Sequence, residues 1–142
     1  MLAACGGDAT GPDGSVPEPL VGVWVADAAC LPECEFTVFA RQQPGPSINL
    51  VQFGLGVEMD IRPSGRLRLE VRLVRDTLLD GTVRIQGDRM FVQASGATTV
   101  DTLAFTLEEP WLRIELLSRL TYDLDGNGTE EDVGVRGRFR RR

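Results

Sequence analysis

The chain contains no histidine and no lysine. Without histidine it lacks the commonest general base, the commonest metal ligand and the usual activator of a serine or cysteine nucleophile. Without lysine, Schiff-base chemistry is excluded, and arginine carries all 15 positive charges. No apolar run reaches the roughly 18 residues that a spanning helix needs. A net basic charge is also missing. At −6 the chain suits nucleic acid poorly, because phosphate binding needs a basic face. Carboxylate pairs such as Glu108 and Glu109 have no fixed separation or cleft, so the chain is read as not an enzyme.

What is present is alternation. At 142 residues the chain is long enough for one domain with a real core. From Leu20 onward apolar residues recur at every second position, and no stretch has a helical period. The clearest case pairs Val57, Met59 and Ile61 with Leu67, Leu69, Val71 and Leu73 across Pro63, Ser64 and Gly65. Proline suits the first corner of a type I turn, and glycine suits the left-handed residue closing a three-residue hairpin. That register sets Asp60 opposite Arg68 on the outer face. Strands are predicted at 20–26, 34–41, 48–54, 56–62, 66–74, 82–86, 89–95, 99–107, 111–122 and 132–140. Turn residues separate them, among them Pro44-Gly45-Pro46, Asp80-Gly81, Gly87-Asp88, Gly96 and Glu109-Pro110. Sequential hairpins predict an antiparallel up-and-down β-barrel of about 8–10 strands, with a β-sandwich as the alternative.

Ahead of the strands, residues 1–19 read as a leader and tether, and residues 20–142 as the barrel domain. Leu2, Ala3, Ala4 and Cys5, followed by a stretch rich in glycine and proline up to Leu20, resemble the lipobox and linker of bacterial lipoproteins. The resemblance implies diacylglycerol on the Cys5 thiol, a membrane partner through that anchor, and export to the cell envelope. Gly6 rather than aspartate after the cysteine implies an outer-membrane address, facing periplasm or cell surface. A signal needs a basic segment and an apolar segment. Only four residues precede Cys5, so the true start is expected upstream of Met1.

Gly22, Val23 and Trp24 open the first strand. This resembles the Gly-x-Trp signature of lipocalins and lipocalin-like bacterial lipoproteins, where the tryptophan plugs the closed end of the barrel. The resemblance implies an arginine near the C-terminus stacked on that ring, with Arg140 chosen from the final run. It also implies carriage of a small apolar molecule, lined by Trp24, Phe36, Met59, Leu69, Phe105 and Ile114. The same residues describe a filled core equally well, which would make the protein a structural or interaction lipoprotein of the envelope.

Two local features complete the reading. Cys30 and Cys34 suit a disulfide in an oxidising compartment; reduced thiols or half a metal site are the alternatives, the latter short of ligands. Asp123, Asp125, Asn127, Thr129 and Glu131 stand at positions 1, 3, 5, 7 and 9 of a loop with Gly126 and Gly128, a spacing that suits a structural Ca2+. With Gly134 at position 12 the loop departs from the EF-hand. It resembles instead the strand-connecting calcium loops of integrin-type propeller repeats. The alternative is a long polar hairpin.

Overall fold

The computed structural model of the protein describes residues 16–42, 44–72 and 76–142. Cys5 and Leu73 lie outside the described residues. The strands are β1 (Gly22–Ala26), β2 (Glu35–Ala40), β3 (Ser47–Asn49), β4 (Val57–Ile61), β5 (Arg66–Val71) and β6 (Asp76–Gln86). They continue with β7 (Arg89–Ala94), β8 (Asp101–Glu108), β9 (Trp111–Leu116), β10 (Leu120–Tyr122) and β11 (Glu131–Arg141). Three 3-10 turns interrupt them, at Glu18–Leu20, Ala28–Cys30 and Leu50–Phe53. Among the described residues there is no α-helix, as the period-2 pattern requires.

The sheet closes on itself. β1, β4, β5, β6, β7, β8, β9 and β11 follow one another as antiparallel neighbours, and β11 returns to β1. The result is a barrel of eight strands with β2, β3 and β10 outside the ring, rather than the two stacked sheets of a sandwich. Closure depends on two residue pairs, Trp24 with Arg141 and Val25 with Arg140.

The outlying strands prolong arms of the ring. β9 and β2 pair with overlapping parts of β11, at Arg136–Arg140 and Val133–Arg138, so they hold opposite edges. β1 pairs with Arg140 and Arg141 while β9 also holds Arg140, so β1 and β2 share one edge. Residues 27–34 are therefore an excursion from a single long arm. It turns through Ala28–Cys30 and is clamped by the Cys30–Cys34 disulfide, with a Cα–Cα distance of 5.6 Å. The spacing reading of the two cysteines is correct.

The 57–71 hairpin has the expected register, with Asp60 opposite Arg68 and Met59 opposite Leu69. Gly65 has φ of 92°, which relieves a turn that any Cβ would strain. Three boundaries differ. The predicted strand at 48–54 leaves the sheet after Asn49 as a 3-10 turn whose Val51 is buried, because that side chain is drawn into the core. The turn expected at Asp80-Gly81 is absent: β6 runs through it, and Gly81 packs against the backbone of Gln93 and Ala94 on β7. The strand expected at 111–122 breaks between Leu116 and Leu120.

Inward positions repeat across the ring. Trp24 faces Met59, which faces Leu69, which faces Leu79. On the other wall, Phe105, Ile114, Gly137 and Phe36 form a second row, and Leu107, Leu112 and Phe139 a third. Trp24, Leu112 and Phe139 are fully buried. The Phe36 and Phe139 rings meet edge to face at 6.1 Å between centroids, an arrangement their quadrupoles favour.

Candidate functional site

The end of the barrel that holds Trp24 is sealed by the chain's own N-terminal segment. Val16 and Leu20 are buried, although the sequence places residues 16–19 in the tether. The Val16 N–H donates to the Pro63 carbonyl at 2.9 Å, and the Trp24 indole N–H donates to the Leu20 carbonyl at 3.1 Å. A buried indole needs that acceptor, since an unmatched N–H costs about 1–3 kcal/mol.

The arginine over Trp24 is Arg141, not Arg140. Its guanidinium carbon stands 4.2 Å from the ring centroid. Alternation explains the correction. Phe139 faces inward, so Arg141 does too, whereas Arg140 lies beside Val25 and Trp111 on the strand positions that face outward. Arg141 also ties the entry segment down. It donates to the carbonyls of Val21, at 2.9 Å, and Pro19, and it forms a forked pair with Glu109 at 2.9 and 2.7 Å. That fork holds the Glu109 carboxyl below its ordinary range and raises Arg141. Gly22 allows the fit: with φ of 140°, it leaves room where a Cβ would meet the Arg141 side chain.

Of the six residues expected to line a ligand, Trp24, Phe36, Met59 and Ile114 are buried in the core, and Leu69 and Phe105 are half-buried. Pattern alone missed their neighbours. Leu79, Leu103, Leu116 and Val135 occupy inward register positions and are also half-buried. Leu69, Leu79, Leu103, Phe105 and Val135 pack against the buried cluster, and each keeps part of its surface accessible to solvent. The lining residues missed were legible as strand positions, but their exposure depends on what stands across the barrel.

The acidic loop closes on itself. Asp123 accepts the backbone N–H groups of Asn127, at 3.1 Å, and Gly128, at 2.8 Å. Asp125 accepts the Asn127 backbone N–H at 3.1 Å and its side-chain amide at 3.2 Å. The Asn127 side-chain oxygen accepts from the Thr129 N–H at 2.8 Å. Glu131 lies on β11 opposite Tyr122, its Oε1 buried without a hydrogen-bond partner. Among the described residues no three acidic, histidine or cysteine side chains are grouped to hold a metal. The side-chain oxygens of Asp123, Asp125 and Asn127 thus accept from the turn's own N–H groups.

No family model, no curated protein and no solved structure matches the chain.

Proposed function

We propose that the protein is a non-catalytic lipoprotein of the bacterial envelope, anchored at Cys5, whose lipocalin-like barrel holds a small apolar molecule against its inner wall. The observation that carries this is the half-buried state of Leu69, Leu79, Leu103, Phe105 and Leu116 at inward positions. Apolar surface left accessible inside a barrel gains about 25 cal/mol per Å2 when a ligand covers it. The sealed Trp24 end supports the reading, because a carrier needs one closed end and one entrance. The anchor rests on the residues around Cys5 and on the disulfide, which suits an oxidising compartment.

Titration with the neutral apolar dye N-phenyl-1-naphthylamine, alongside native mass spectrometry of the purified chain, tests the cargo. Saturable binding of one dye, lost in Leu103→Trp with its thermal midpoint kept, is expected. Absence of both saturable binding and co-purified mass overturns ligand carriage in favour of a filled interaction module. Labelling with radioactive palmitate in a bacterial host tests the anchor. Incorporation that persists in Cys5→Ser would refute it.

A further inference from the structure

The arginines that lack a carboxylate are not scattered. Nine arginines among the described residues hold a carboxylate oxygen within 4.0 Å. Of the other five, Arg84 lies on the Phe91 ring and Arg119 stands near the β9–β10 break. The remaining three, Arg113, Arg138 and Arg140, share adjoining positions on the outer face of β9 and β11.

Arg113 and Arg138 are direct partners in the register of those strands. Like charges facing each other across a ladder are destabilising, and among the described residues neither guanidinium has a carboxylate oxygen within 4.0 Å. Glu35 stands opposite Arg138 on β2, but its Oε1 accepts from the Arg136 guanidinium at 3.1 Å and the Thr37 hydroxyl at 2.6 Å, and it makes no ion pair with Arg138 within 4.0 Å. The Arg138 guanidinium is stacked 4.7 Å above the Trp111 ring, and its buried Nε has no hydrogen-bond partner. Stacking fixes the plane of that fork and leaves its N–H edge unspent. The arrangement opens into a groove of about 390 Å3 that Ala104, Thr106 and Gly137 also line. Glu35 and Glu115 line the same groove with Arg113, Arg136 and Arg138; Arg136 lies opposite Glu115 and binds Glu35, which leaves Arg113 and Arg138 as the cations without a carboxylate there.

We propose that this groove binds a phosphate group, held between the guanidinium groups of Arg113 and Arg138 with Arg140 adding charge beside them. A planar fork matches two phosphate oxygens, which is why arginine predominates at such sites. A bound anion also offsets the like-charge repulsion across the ladder. The site is on the outside of the barrel and is independent of any cargo within it. The phosphate belongs either to a soluble compound or to the headgroup of an anionic phospholipid.

Calorimetric titration of the 142-residue chain with inorganic phosphate, and sedimentation with phosphatidylglycerol or phosphatidylcholine vesicles, test the site. Saturable phosphate binding at one site is expected, weakened about tenfold in Arg113→Gln and in Arg138→Gln and unchanged in Arg119→Gln. Sedimentation with phosphatidylglycerol vesicles alone, lost in the same two variants, assigns the phosphate to a lipid. Phosphate binding without sedimentation assigns it to a soluble compound. Arg113→Gln leaves the Trp111 stack in place, so it reports on binding even if Arg138→Gln fails to fold. The proposal is overturned if neither probe binds, or if Arg113→Gln, folded by circular dichroism, binds both probes as the parent does.

Discussion

Arg141 concentrates several interactions in one side chain: a ring face, two backbone carbonyls and a forked carboxylate. Its loss leaves the entry segment tied by fewer bonds and uncovers Trp24. Arg141→Ala is expected to destabilise the fold by about 2–3 kcal/mol, while Arg140→Ala costs under about 0.5 kcal/mol. Urea unfolding of both variants decides between the two arginines. Glu109 gives the same network a pH dependence. Its folded carboxyl is held below the ordinary range by the Arg141 fork. Its contribution is therefore present above the ordinary carboxyl range and is lost as pH falls through the depressed folded value. Glu109→Gln should be less stable than the parent at neutral pH and converge with it in strong acid. A series of urea midpoints between about pH 2 and 7 reads the effect, and parallel curves throughout would refute the role.

Among the elements, β6 shows how a glycine can be misread. Asp80-Gly81 has the composition of a turn, but here glycine serves close approach: a Cβ on Gly81 would collide with the Gln93 carbonyl and the Ala94 Cα of β7. Because those atoms are backbone, they cannot swing aside. Gly81→Ala is expected to cost roughly 2–3 kcal/mol, checked by thermal unfolding; a neutral result would mean that β6 turns there after all. In the 123–131 loop, backbone N–H groups compete for the oxygens a cation would use. Its spacing suits calcium, but its aspartates are engaged by backbone N–H groups. Calcium would have to capture oxygens already hydrogen-bonded in the turn, so a dissociation constant no tighter than roughly 0.1 mM is expected. Calorimetry that finds a tighter single site would reveal a loop conformation different from this one.

For the molecule as a whole, the ring is closed by a seam of two residue pairs between β1 and β11, reinforced on its inner side by Arg141 over Trp24. Burial then differs around the interior. Leu112 is fully buried, whereas Leu103, on the adjacent strand, is half-buried. Leu112→Ala should therefore cost about 3 kcal/mol and Leu103→Ala about 1 kcal/mol. Equal losses would indicate a uniformly packed interior and weaken the case for an apolar cargo.

The alternation of side chains made the strand content, the 57–71 hairpin and its register legible, because a strand's two faces are encoded within a few neighbouring residues. The disulfide was legible for the same reason, as its partners lie four positions apart. Parity even held the means to choose Arg141, once Phe139 is taken as inward. Other features depend on distant segments meeting. The ring closes through residues more than a hundred positions apart. Val51 is pulled out of an apparent strand into a core assembled elsewhere in the chain. The facing of Arg113 with Arg138 exists only after β9 and β11 have paired. Local pattern sets which way a side chain points, and the assembled barrel sets what it meets there.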